Sequence, residues 1–194
     1  AEQLAAGRAH SCVVRRGGKV ACWGRNEGGA LGTGAPGPAG EGRPLLALDV
    51  ADAASIATGV GFSCARTSAG LVSCWGANDL GQLGNGTHVD ARRPVEVTGV
   101  REATSLAVGW AHACATTRSG GVLCWGDNAK GQLGNGSKAS LARSPVAVPD
   151  VRDAVEVAAG RSHTCVRRKT GEVACWGDNE FGQAGTTAGA PQQS

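Results

Sequence analysis

No apolar run in this 194-residue chain approaches the roughly 18 residues that a membrane-crossing helix requires, so that mode of integration is excluded. Nothing at Ala1 resembles a signal peptide, and the expectation is a soluble chain from which any export signal has been removed. The formal charge is only +3 and the basic residues are scattered. The short runs Arg15-Arg16, Arg92-Arg93 and Arg167-Arg168-Lys169 read as solvated turns and edges, so the stripe expected of a nucleic-acid binder is missing. Tyrosine and methionine are absent and phenylalanine occurs twice. The even mixture of apolar residues with 18% charged ones argues against disorder.

What is present is repetition. The stretch from His10 to Gly24 recurs at Phe62 to Gly76, His112 to Gly126 and His163 to Gly177, each with a cysteine ten residues before a second that opens Cys-Trp-Gly. The first cysteines, Cys12, Cys64, Cys114 and Cys165, are spaced by 52, 50 and 51 residues. A period near fifty is the signature of blades or stacked units that bury their faces on one another. The chain reads as a single repeat domain over 1–194, with repeats at about 1–49, 50–99, 100–150 and 151–194, the last one truncated at 191–194.

Between each cysteine pair the residue after the midpoint is glycine: Gly18, Gly70, Gly120 and Gly171. A three-residue hairpin loop, a type I turn followed by a left-handed residue, wants glycine there. Counting outward pairs Val14 with Val20 and Cys12 with Cys22, and this register puts the cysteines on a non-hydrogen-bonded pair. Their alpha carbons then approach to about 4.5 Å, close enough for a disulfide. Four cross-strand bonds are expected: Cys12–Cys22, Cys64–Cys74, Cys114–Cys124 and Cys165–Cys175. Each staples its own hairpin, by about 2 to 3 kcal/mol on the chain-entropy account. The rival is His-x-Cys metal ligation by His10, His112 and His163; Phe62 interrupts that series and no Cys-x-x-Cys knuckle is present, so no metal is expected. Paired cysteines imply an oxidising compartment: secreted, periplasmic or cell surface.

The flanking segments recur too. A short strand ending in glycine precedes each hairpin, with Ala5, Ala57, Ala107 and Ala158 at one position that suits strands converging on an axis. After each Trp-Gly come Asn26, Asn78, Asn128 or Asn179 and a glycine-rich loop such as 81–86, explained by Asx turns; a calcium reading of Asp127 or Asp178 lacks carboxylates. A proline-led strand follows at Pro44, Pro94 and Pro145, with proline expected at the start of an edge strand.

This order of strand, Gly-x-x-His, hairpin, Trp-Gly-x-Asn, Gly-Gln-Leu-Gly-x-Gly and Pro-x-x-Val resembles the repeat of the regulator of chromosome condensation family over nearly the whole chain. The resemblance implies an all-β propeller of four-stranded blades, usually seven in a ring. The histidine belongs to the family motif even without a cysteine after it. The cysteine pairs are an addition, like those of bacterial, secreted-looking relatives. Four repeats imply an arc or partial ring, whose open edges a second copy would cover, or else a closed four-bladed ring.

No nucleophile, base and acid stand together, so neither an enzyme nor a cofactor is expected; a propeller lyase or hydrolase is the outlying alternative. A binding scaffold that engages a protein partner through variable loops fits better, with self-association through open blade edges as a further mode. Positions where the copies disagree are the candidate contacts. These are Arg8, Val60, Trp110 and Arg161 in the Gly-x-x-His loop, together with Phe62 and Phe181. Tryptophan and arginine dominate interface hot spots, although Trp110 has the alternative of packing on a neighbouring blade. Trp23, Trp75, Trp125 and Trp176 recur and are assigned to blade packing. A carbohydrate-binding propeller is the alternative in another class, but it would repeat its exposed aromatics, which this chain does not.

Overall fold

The computed structural model describes residues 1–35 and 40–185; the expected stop at 191–194 lies outside them, as do residues 36–39 ahead of the first proline-led strand. The first blade is β1 (Gln3–Ala6), β2 (His10–Val14), β3 (Val20–Arg25) and β4 (Gly40–Leu46). The second is β5 (Ala53–Thr58), β6 (Phe62–Thr67), β7 (Val72–Gly76) and β8 (Ala91–Glu96). The third is β9 (Ala103–Val108), β10 (His112–Thr117), β11 (Val122–Asp127) and β12 (Leu141–Ala147). The fourth contains β13 (Ala154–Ala159), β14 (His163–Arg168) and β15 (Val173–Gly177) among the described residues. Each sheet is an antiparallel meander in chain order. The fold is all-β, and one short 3-10 turn, Glu27–Gly29, is its only helical element among the described residues.

The hairpin register is the one that the glycine position dictates. Cys12 faces Cys22, Cys64 faces Cys74, Cys114 faces Cys124 and Cys165 faces Cys175. All four pairs are disulfides with Cα–Cα separations of 4.1 Å. The loop glycines take the left-handed conformation, φ 71° at Gly18 and 83–91° at Gly70, Gly120 and Gly171. Gly17 also has positive φ, so the first turn departs from type I, which the double glycine permits.

The prolines do not start their strands, as the sequence suggested; they sit inside them. Cys74 pairs with Val95 and Gly76 with Ala91, so residues 92–94 bulge away from the ladder around the tryptophan, and Pro94 lies in that bulge. Pro44 and Pro145 occupy the same place. A bulged edge strand asks no hydrogen bond of the residue, so the missing N–H costs nothing.

The blades pack face to face, with β1, β5, β9 and β13 side by side along the inner edge. Their interfaces are the core. The forward face of the first blade (Cys12, Val14, Val20, Cys22, Leu31) meets the back of the second (Ala53, Ile56, Ala65, Trp75). The second and third blades, and the third and fourth, repeat this arrangement. The disulfides of the first three blades thus face the next blade and are fully buried. Burying a Val or Ile side chain in this way contributes roughly 1.5 to 3 kcal/mol, so most of the fold's stability resides between blades.

Candidate functional site

The Gly-x-x-His loops at 7–10, 59–62, 109–112 and 160–163 sit together at one end of the inner strands. Each is closed by a backbone bond, from Gly109 N–H to the His112 carbonyl at 2.8 Å in the third blade, with 2.9–3.0 Å equivalents in the others. Glycine is required by space rather than by φ. A Cβ on Gly109 would overlap the His112 ring and stand 2.5 Å from the Gly160 carbonyl oxygen of the next blade. The loops are also tied sideways: Val60 N–H donates to the Trp110 carbonyl at 3.0 Å, and Trp110 N–H to the Arg161 carbonyl at 3.1 Å.

Beneath this rim the rings of His10, Phe62 and His112 are buried. His10 Nε2 lies 2.9 Å from Ser63 Oγ, and that hydroxyl gives its one proton to the Ala30 carbonyl at 3.0 Å. The nitrogen must therefore be the donor, which fixes the Nε2–H tautomer. His112 repeats the arrangement with Thr164 at 2.9 Å, whose hydroxyl donates to the Gln132 carbonyl at 2.8 Å. Its Nδ1 is buried without a hydrogen-bond partner among the described residues. Burial pushes the His10 pKa down to about 4. Burial, together with the charge of His163, does the same to His112, again to about 4. Both rings are neutral at pH 7 and serve as structural donors.

The same column of carbonyls holds three of the four recurring tryptophans. Trp75 Nε1 donates to Ala30 at 2.8 Å, Trp125 to Gln82 at 3.0 Å and Trp176 to Gln132 at 2.9 Å, each across a blade boundary. These bonds agree with the packing role that recurrence implies. Phe62, by contrast, is no surface contact: it is fully buried in the slot that histidine fills elsewhere. The next blade answers the change, because the position of Ser63 and Thr164 is occupied there by Ala113, which is also fully buried. Against a phenyl ring a hydroxyl would lose the N–H that His10 and His112 supply at the other boundaries, so ring and hydroxyl are exchanged together. The three hydroxyl-column residues were not singled out from the sequence, although the internal repeat alignment carries the signal.

Above the rings, three of the variable residues meet. Trp110 keeps 38% of its surface exposed. The Arg161 guanidinium carbon lies 4.3 Å from the Trp110 ring centroid and that of Arg8 lies 5.3 Å from it, so residues from the first, third and fourth blades converge. Such cation–π contacts contribute about 0.5 to 1 kcal/mol each at exposed sites. No ion pair engages Arg8 or Arg161 among the described residues. Phe181 is 84% exposed; it stands on the loop after Trp176-Gly177 and takes no part in this cluster.

The Regulator of chromosome condensation (RCC1) repeat matches residues 1–30, 53–82, 103–132 and 154–183, and a second description of the same repeat matches 69–116 and 119–167. The chain belongs to the RCC1 repeat family. The Ultraviolet-B receptor UVR8 of Arabidopsis thaliana is 35% identical over 99 residues, which is 48% of this chain and 22% of UVR8. Human WBSCR16 superposes with a TM-score of 0.84 at 22% identity, over 98% of this chain and 50% of that one. Prp20p from Saccharomyces cerevisiae, described with its binding properties to Gsp1p and histones, gives 0.81 at 22% identity over 95% and 47% of the two chains. These structural likenesses establish the RCC1 fold. The chain spans about half the length of either of these solved chains and about a fifth of UVR8.

Proposed function

We propose that this chain is a non-enzymatic scaffold of an oxidising, extracytoplasmic compartment that binds a protein partner through the variable residues of its inner rim. The observation that carries the reading is the convergence of Arg8 and Arg161 on the half-exposed ring of Trp110. The repeat builds the same loop four times, yet this cluster occurs at one place, which is what recognition of one partner needs. The supporting framework is rigid: buried rings below, backbone bonds on either side and a disulfide in each hairpin. Tryptophan and arginine on such a framework lose little side-chain freedom on binding, which is why they carry interface energy. Protein binding by Prp20p is consistent with this use of the fold. All eight cysteines are paired, which supports the oxidising location.

A photo-crosslinking residue placed at position 8 or 161, against a control at the exposed position 89, tests the reading in extracellular fractions of the source. The expected result is one predominant protein adduct at the rim positions, lost when Trp110→Ser is added and absent at 89. The same adducts at all three positions, or none at the rim, overturn it.

A further inference from the structure

We infer that the Arg8–Trp110–Arg161 rim takes an acidic peptide segment, so that paired carboxylates of the partner bridge the two guanidinium groups; this rests on the protein-binding reading above. Two like charges share one ring here. The depression around them, about 250 Å³, is lined by twelve residues, of which Arg8 and Arg161 are the only charged ones. Its remaining walls are backbone of the four rim glycines and small or apolar side chains, including Val60, Val108 and Ala159. The rim therefore carries uncompensated positive charge beside apolar surface, and the buried His10 and His112 below it are neutral and add none.

A guanidinium that lies against a ring uses its face for the aromatic contact and leaves its in-plane N–H donors free. Those donors match a carboxylate in bidentate fashion. Held by one indole, the two forks are pre-positioned, so little side-chain entropy is lost when carboxylates arrive. Nucleic acid is the poorer fit. Neutralising a backbone calls for several spread phosphate contacts, whereas this rim offers two cations on a chain of net charge +3. An extended segment with alternating acidic and apolar side chains matches both the charge and the valine-lined walls.

The test is fluorescence anisotropy of the whole chain with three labelled probes: an oligoglutamate, an oligoglutamine of the same length and a single-stranded oligodeoxynucleotide of equal charge. The expected result is saturable binding of oligoglutamate alone, weakened at least about tenfold by R8Q with R161Q and about threefold or more by W110L. The R8K/R161K pair, which keeps the charge but loses the fork, should fall between wild type and the glutamine pair. Thermal unfolding of each variant at the wild-type temperature shows that the loss is local; a variant that unfolds is replaced by its single-site components. Equal affinity for oligoglutamate in the wild type and the R8Q/R161Q chain overturns the inference, as does tighter binding of the oligodeoxynucleotide. If oligoglutamate fails while the rim crosslink still depends on Trp110, the acidic chemistry falls and the protein-binding reading stands. If the crosslink fails as well, both fall.

Discussion

His10 reaches out of its own blade to Ser63, with Nε2 2.9 Å from the hydroxyl oxygen. The third blade makes the same reach from His112 to Thr164, and the second replaces it with Phe62 over Ala113. One boundary is polar by hydrogen bond and the next is apolar by packing, and both lie within one chain. The two residues of each boundary therefore behave as a unit.

Thr164→Ala alone should cost about 1 to 3 kcal/mol, because it leaves the buried His112 donor unsatisfied, and His112→Phe alone should also destabilise. Together they reproduce the natural second boundary and should recover most of the loss. Urea unfolding of the two singles and the double gives a coupling of at least about 1 kcal/mol. Strictly additive changes contradict the pairing.

Acid should weaken the fold through these rings. The His112 pKa is about 4 when folded against an ordinary value of 6.5. As pH falls below 6.5 the unfolded chain takes up a proton that the folded chain refuses, so stability falls between about 6.5 and 4 and this contribution stops changing below both values. Above 6.5 the contribution is fully present. The shift corresponds to roughly 3 kcal/mol for this ring. Urea midpoints measured from pH 7.5 to 4 should fall less steeply in the His112→Phe/Thr164→Ala double variant than in the wild type; identical slopes contradict the assignment.

Much of this was legible in the sequence. Glycine one place after each hairpin midpoint sets the register, so the disulfide partners and the blade follow from local geometry. The common loop position of Arg8, Trp110 and Arg161 places them on one rim. That their side chains touch depends on how successive blades curve, which no single repeat encodes. Phe62 was misread because a departure within one column resembles a surface change. Its partner Ala113 lies in the next column and the next blade, so only reading the two together reveals a core exchange. The prolines were misplaced because a bulge is a property of two strands.

The tryptophan bonds should differ in worth. The Gln82 carbonyl receives only Trp125 Nε1 among the described residues, whereas the Ala30 carbonyl receives both Trp75 and Ser63. Trp125→Phe leaves a carbonyl without a partner, and Trp75→Phe does not. Thermal or urea unfolding should find the first the more costly by about 1 kcal/mol. The reverse order argues that packing volume, not the N–H, sets the cost.

The disulfides should not reduce together. Cys12, Cys22, Cys64, Cys74, Cys114 and Cys124 are fully buried by the following blade, while Cys165 and Cys175 are half-buried. Mild reductant with alkylation and peptide mass spectrometry should label Cys165 and Cys175 first, since thiol exchange needs access to the sulfur. Simultaneous labelling of all four pairs signals global unfolding instead.

The most direct measurement takes the partner captured at the rim and determines its affinity for Arg8→Ala, Trp110→Ala, Arg161→Ala and Phe181→Ala. Hot-spot behaviour predicts that Trp110→Ala and at least one of the arginine changes weaken binding about tenfold or more, while Phe181→Ala binds as the wild type does. Full affinity in the three rim variants, with the loss falling on Phe181→Ala, would move the binding surface to the loop after Trp176-Gly177 and contradict the account.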